Sequence, residues 1–259
     1  MSKSNNKIRL AVFKFSSCDG CQLQILNAED ELLRLAQLVD IAYFMEAKRD
    51  WNPGPYDVAL VEGAVSTPEE EELVKKIRSE SKIVIPIGAC ATAGGIQALR
   101  NWANVEEFKK IVYPNPEWIS ALAKATPISD HVQVDLELRG CPISREQLIF
   151  ATAQLLKGKR PYIPSYSVCM ECKRKGNACV VVAHGVQCLG PVTMDGCGAI
   201  CPSYDRGCYG CFGPMDQPNP KAMAEYCISM GLSKENIARL FKLFTGYSEK
   251  FREVVDEYE

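Results

Sequence analysis

Thirteen cysteines against two histidines, with nine of the thirteen set in C-x-x-C pairs or beside glycine and proline, constrain this 259-residue chain more than any other feature. They fall into two groups. Cys18 and Cys21 in SSCDGCQ, Cys90 in PIGACATAGG and Cys141 in RGCPIS are dispersed over the first half of the chain. Cys169, Cys172, Cys179, Cys188, Cys197, Cys201, Cys208 and Cys211 are packed into one short stretch. Four plus eight makes three sets of four, and four thiolates is what a 4Fe-4S cubane needs. Cys227 remains, inside the helical pattern KAMAEYCISMG, where a small buried hydrophobe is the expected role.

The same count in a secreted chain would suggest disulfides. The N-terminus, MSKSNNKIRLAVFKF, has a basic start but only a short apolar run, no small-residue cleavage site and no twin arginine, so no export signal is expected. Nothing approaches eighteen consecutive apolar residues, and no membrane span is expected. A cytoplasmic setting favours metal thiolates over structural disulfides. Zinc competes for C-x-x-C pairs. The near-absence of histidine and the ferredoxin-like phrase C-x-x-x-C-P from Cys197 to Pro202 argue for iron-sulfur instead. The net charge of -2 and a single short basic run, KRKG at 173–176, give no reason to expect nucleic acid.

Hydrophobic patterning places the dispersed cysteines. A strand at 8–15, a helix at about 22–38 and the strands VDIAYF, DVALVEG and KIVIPIG are read, with a helix PEEEELVKKIRSE opened by Thr67 as N-cap and Pro68 at the first helical position. The strands are continuously apolar, as in a parallel sheet covered on both faces. VQVDLELR reads as a further strand before Cys141. The expected fold is therefore α/β, a flavodoxin-like doubly wound parallel sheet over residues 1–158. Cys18, Cys21, Cys90 and Cys141 each follow the carboxyl end of a strand, where open α/β sheets bind ligands. Taking Cys90 and Cys141 as ordinary buried small residues would leave the loop pair Cys18 and Cys21 unexplained. After the helix SREQLIFATAQLLKG, a proline-bearing linker at 159–166 leads to a Gly/Cys-rich, ferredoxin-like module at 167–214, too poor in periodic hydrophobics to build a core alone. Residues 215–259 read as two or three short helices that cover the module or meet a partner.

The phrases SSCDGCQ, VEGAVSTPEE, PIGACATAGG, RGCPIS, GPVTMDGCGAICP and CYGCFGP together resemble the small, electron-transferring subunit of nickel-iron hydrogenases over nearly the whole chain. The resemblance implies that Cys18, Cys21, Cys90 and Cys141 hold a proximal 4Fe-4S cluster facing the nickel-iron site of a separate large subunit. The eight later cysteines would hold the medial and distal clusters. The related cluster subunit of respiratory complex I usually has adjacent cysteines where this chain has C-x-x-C, and it lacks the eight-cysteine module. Periplasmic hydrogenases carry an export signal and a histidine ligand at the distal cluster. This chain is more similar to the cytosolic branch, the NAD(P)-linked hydrogenases with the sulfhydrogenases, and the deazaflavin-reducing hydrogenases. The partners implied are the nickel-iron large subunit, a flavin- and NAD(P)-binding subunit and a further iron-sulfur subunit.

Three more side chains bear on the metal sites. His184, near Cys179 and Cys188, is the residue able to replace a thiolate; His131 reads as structural; Glu62, at the end of DVALVEG, is open between approaching the proximal cluster or a proton path and acting as a solvated or capping carboxylate. Ferredoxin wiring, in which the cysteine before proline serves the other cluster, predicts that Cys201 crosses to the Cys169, Cys172 and Cys179 group. No G-x-G-x-x-G phosphate loop appears, so the terminal acceptor is not written in this chain. The competing readings are a zinc-stapled scaffold without redox work and a complex I-like electron-transfer subunit.

Overall fold

The computed structural model describes residues 7–259; the opening stretch read for an export signal begins in residues 1–6, outside the described residues. Four parallel strands, β1 (Ile8–Lys14), β2 (Val39–Phe44), β3 (Tyr56–Glu62) and β4 (Ser81–Ile87), form one sheet in the order β2-β1-β3-β4. This is the flavodoxin-like order, whose switch point lies between β1 and β3. Because side chains alternate along a strand, the apolar runs feed both faces at once. Leu10, Val12, Val58, Leu60, Ile85 and Ile87 pack on one side with Ile25, Leu148 and Ala151. Ala11, Phe13, Ala59, Val61 and Val84 pack on the other with Val74, Ile77 and Ile128. The first face is covered by α1 (Gly20–Leu26), α2 (Asp30–Leu38) and, further along, by the helix Arg145–Leu156; the second is covered by α3 (Pro68–Glu80).

Two expectations are corrected. The single helix read over 22–38 is two: Asn27 caps α1, and Glu29, at φ 43°, turns the chain before α2. VQVDLELR is not a strand but a broken edge. Leu138 bridges Ile87 in parallel, and its N–H donates to the Pro86 carbonyl at 3.0 Å. Pro86 has no N–H to return on that side, and the Val84 N–H is taken by the Asp135 carboxylate at 2.8 Å, so no continuous ladder forms.

The start of α3 follows the expected signal. Thr67 Oγ1 accepts the Glu70 N–H at 3.2 Å while the Glu70 carboxylate accepts the Thr67 N–H at 3.1 Å, with Pro68 at the first helical position. After β4 come α4 (Gly88–Ala93), a 3-10 segment (Ile96–Trp102), α5 (Val105–Val112) and α6 (Arg145–Leu156). Residues 167–214 hold only α7 (Val168–Lys175), α8 (Val180–His184) and a 3-10 turn, with a small core of Val168, Val180, Cys188, Ala199 and Cys208. The tail forms α9 (Pro220–Ser229), α10 (Lys234–Lys242) and α11 (Glu249–Tyr258). Its apolar faces close on Leu189 and Val192, so the cysteine-rich stretch borrows a second core from the tail. Trp102 joins that core and donates from its indole N–H to Asp256 at 2.9 Å, tying the tail to the loop beyond Cys90.

Candidate metal centres

The structure brings the four dispersed cysteines together beyond the carboxyl ends of the strands. A cavity of about 290 Å³ opens there between Ser17, Cys18, Cys90, Cys141, Ile96 and Phe244. Cys21 lies beside it, its sulfur so close to Gly88 that a Cβ at that position would stand 2.3 Å away; with φ at 86°, only glycine fits. Burial pushes up the thiols of Cys21 and Cys141, and that of Cys90 to about 11, against the hydrogen bond Cys90 makes to Gln97; charge on neighbouring thiols pushes the same way. A buried set of thiols that resist losing their protons alone, each opposed by the others' charge, is the environment that a bound cation reverses.

The loop carrying Cys18 and Cys21 is held from behind by carboxylates. Glu62, the last residue of β3 at the switch point, is 2% exposed. It accepts the Cys21 N–H at 3.0 Å on one oxygen and the Gln22 side-chain N–H at 2.7 Å on the other. Burial raises its pKa, opposed by these donors. Of the alternatives open from sequence, this places Glu62 against the cysteine pair as a buried acceptor and removes the solvated one. Glu70, besides capping α3, accepts from Ser16 Oγ at 2.9 Å and from the Ser66 N–H at 2.7 Å. Gln97 donates to the Ser16 carbonyl at 2.7 Å and faces the Cys90 sulfur at 3.4 Å. Nothing in the sequence singles out Gln22, Gln97 or Phe244 for these places. Glu70 does leave a signal there, as the fourth residue of the T-x-x-E capping box.

In residues 167–214 the cysteines sort by proximity into two groups. Cys169 and Cys172, raised chiefly by burial, each feel the charge of Cys188 and Cys179. A Cβ on Gly190 would meet the sulfurs of Cys188 and Cys169 at 3.2 and 3.7 Å. Burial also raises Cys197, which lies beside Cys201, and Cys211, pushed up to about 12, which lies beside Cys197 and Cys201. Cys208, raised by burial, neighbours both Cys188 and Cys211. Cys201 lies beside Cys197 and Cys211, an arrangement that does not follow the ferredoxin-like crossing. The reason lies in the six residues between Cys172 and Cys179, where α7 ends at Gly176 and Cys179 opens α8, leaving Cys188 to come back toward Cys169 and Cys172.

The groups also touch one another. Cys211 lies beside Cys141, and the Cys208 N–H donates to the Cys188 sulfur at 3.1 Å. Arg139 donates to the Pro214 carbonyl at 3.0 Å, and the Phe212 ring lies over Gly140, within 2.7 Å of where a Cβ would be. Spatially the order is the Cys18 group, the Cys197 group, then the Cys169 group. Neither histidine joins them: His131 is hydrogen-bonded to Thr126 at 2.7 Å, and His184 faces Asp205 at 3.6 Å. Cys227 is fully buried among Met223, Ile237, Phe241 and Phe251. Among the described residues, no three His, Cys, Asp or Glu side chains converge tightly enough for a single metal ion. A cubane needs wider spacing, since its thiolates reach four separate irons, whereas four sulfurs meet one zinc at about 2.3 Å.

Comparison with known proteins agrees with this arrangement. The family described as NADH ubiquinone oxidoreductase, 20 Kd subunit, matches residues 18–155. Sulfhydrogenase 2 subunit delta of Pyrococcus furiosus is 38% identical over 92% of this chain and 99% of its own. A vhu subunit of the F420-non-reducing hydrogenase of Methanocaldococcus jannaschii is 33% identical over 81% of this chain and 83% of its own. Among solved structures, a chain of an NAD+-reducing [NiFe]-hydrogenase in the H2-reduced state superposes with a TM-score of 0.56 at 32% identity, covering 61% of this chain and 96% of that one. With the parallel sheet and the gathered cysteines, these matches show that the chain belongs to the NADH ubiquinone oxidoreductase 20 Kd subunit family and, within it, to the small subunits of nickel-iron hydrogenases.

Proposed function

We propose that this hydrogenase subunit carries electrons through three 4Fe-4S clusters, between a nickel-iron large subunit and a flavin- and NAD(P)-binding partner. The observation that carries the reading is the arrangement of the twelve cysteines in neighbouring groups, Cys141 beside Cys211 and the Cys208 N–H on the Cys188 sulfur. Cys18, Cys21, Cys90 and Cys141 would hold the proximal cluster, Cys197, Cys201, Cys208 and Cys211 the medial one, and Cys169, Cys172, Cys179 and Cys188 the distal one. When bound, such clusters supply one-electron carriers whose potentials are set by burial, net charge and hydrogen bonds to sulfur. The chain's own residues position and insulate: Glu62 and Glu70 fix the Cys18 loop, Phe244 closes one side of its cavity, and the tail covers the two later groups.

The partner assignments rest on the relatives and on the surface. Cys18 is exposed at the cavity rim, which Ile96, 49% exposed, also lines. α5 buries none of its residues and presents Phe108, Ile111 and Val112 outward. Exposed apolar groups of this kind suit coverage by a partner subunit. An NAD(P)-linked acceptor is favoured by the NAD-reducing hydrogenases among the relatives, with the F420-non-reducing hydrogenases as the second branch. No helix among the described residues is long and apolar enough to cross a membrane, and the cytoplasm is the proposed location.

The test is iron, acid-labile sulfide, zinc and nickel analysis of the anaerobically purified complex, with hydrogen-driven acceptor reduction. About twelve irons and twelve sulfides on this chain, with nickel on its partner, are expected from three cubanes. Zinc in place of iron, or iron near four, would reject the three-cluster reading. Loss of hydrogen-driven reduction in Cys18→Ala, in protein lacking only the proximal cluster, is the expected functional counterpart.

A further inference from the structure

Glu171 sits between Cys169 and Cys172 on α7, yet its carboxylate serves a different loop. Its two oxygens accept three backbone N–H groups from the turn around Cys197: Gly196 at 3.1 Å and Gly198 at 3.0 Å on one, Ala199 at 2.9 Å on the other. The second oxygen also lies 3.9 Å from the Cys197 sulfur. A carboxylate this near the start of a helix commonly serves the helix's own exposed N–H groups. Here the bonds run to residues 25 to 28 positions later in the chain, so the side chain joins two cysteine groups.

We propose that Glu171 is a positioning residue for the Cys197–Cys201 turn, clamping it to α7 and holding the reduction potential of the cluster bound there low. This rests on the three-cluster reading above. Two physical effects point the same way. The carboxylate places a negative charge beside Cys197, which disfavours adding an electron nearby. It also takes three N–H groups that would otherwise be free to donate toward cluster or ligand sulfur, and donation of that kind raises the potential. Charge-assisted bonds to backbone N–H are among the stronger ones available, so the clamp holds the turn as well as charging it. Lys175, one turn further along α7, places its ammonium 3.3 Å from where a Cβ on Gly198 would be. It supplies the opposite charge to the same turn. Asp195, buried and pushed up by that burial, is the other ionisable group here, with Arg174 near it.

The test uses the anaerobically purified complex and redox-titrated EPR, with signals assigned through Cys197→Ser and Cys169→Ser. Glu171→Gln keeps one acceptor oxygen and removes the charge; the midpoint of the Cys197 cluster is expected to move to higher potential, with the Cys18 cluster unmoved. Lys175→Gln is expected to move the same midpoint lower. Glu171→Ala is expected to lose iron from the Cys197 site while the Cys18 site stays filled. An unmoved Cys197 midpoint in both Gln variants, or a full iron complement in Glu171→Ala, overturns the proposal. Wild-type protein lacking iron at these cysteines would overturn the three-cluster reading itself, a result visible before any variant is made.

Discussion

The two cysteine-bearing regions are built on opposite principles. At the carboxyl edge of the sheet, the loops after β1 and β4 and the segment beyond the broken edge converge on scaffolding that draws little on them: two apolar cores, one on each sheet face, of which Cys21 alone among the four is a member, with Glu62 and Glu70 bracing the loop behind Cys18 and Cys21. In residues 167–214 eight cysteines share two short helices, a small core in which Cys188 and Cys208 are themselves members, and a second core lent by the tail. The first region organises its ligands by packing. The second depends on what its ligands bind, as small metallo-modules do. In the proposed relay, this division would keep the entry station rigid against the large subunit and leave the later stations to be stapled by their clusters.

Removing the metal challenges this contrast most directly. Hydrogen exchange on chelator-treated protein should show amides in 167–214 losing most of their protection, while β1, β3 and β4 keep theirs. A fall of several orders of magnitude is expected in the cysteine-rich stretch, because local opening there would no longer be opposed by cluster binding. Equal loss in both regions would mean that the sheet depends on its cluster too.

The next effect concerns the sheet side alone. Glu62→Ala would leave the buried Cys21 N–H and the Gln22 side chain, 1% exposed, without their acceptor. Leaving buried polar groups unsatisfied costs about 1–3 kcal/mol each. Chemical unfolding should therefore show a loss of about 2–6 kcal/mol by the same rule, with weakened iron retention at the Cys18 site and unchanged retention at the Cys197 site. A smaller loss is expected for Glu62→Gln, which keeps one acceptor.

What can be read in the sequence follows the same division. The sheet strands, the Thr67 capping box and the carboxyl-end placement of Cys18, Cys21 and Cys90 come from local rules: strand hydrophobicity, helix-start chemistry and the geometry of open α/β sheets. What departs from those rules is non-local. Asp135 and Pro86 break the expected fifth strand from opposite sides of a gap of about fifty residues, which no window of periodicity sees. The break at Glu29 interrupts an apolar pattern that itself continues. In the cysteine-rich stretch the residue types are legible and the grouping is not. Ferredoxin spacing suggests that Cys201 crosses, while the turn at Gly176 and the return of Cys188 favour another grouping. Glu171 leaves no mark in the sequence for the same reason, since nothing local distinguishes a carboxylate whose partners lie more than twenty residues on.

A smaller effect tests whether the sheet's brace is helix chemistry or loop chemistry. Thr67→Ala removes the hydroxyl that caps α3 but leaves the Glu70 contacts to Ser16 and Ser66. Losing an N-cap of this kind costs about 1 kcal/mol. Thermal unfolding should register that loss with the Cys18 cluster intact. Iron loss alongside it would mean that the cap and the cysteine loop act as one unit.

The smallest effect belongs to the cysteine outside all three groups. Cys227 is fully buried in the tail's apolar core against Met223, Ile237 and Phe241, and burial pushes its thiol up, so it stays a neutral small hydrophobe. Cys227→Ala removes one methyl-sized group from a packed core and should cost about 1 kcal/mol, the scale of a single buried methyl deletion. Iron and sulfide content should match the wild type. The variant separates the two principles cleanly: a loss of stability without a loss of iron marks the tail as packing, the role the sheet's cores play for the first region. A missing cluster would instead draw the thirteenth cysteine into the later relay and reduce the tail's independence from the metal.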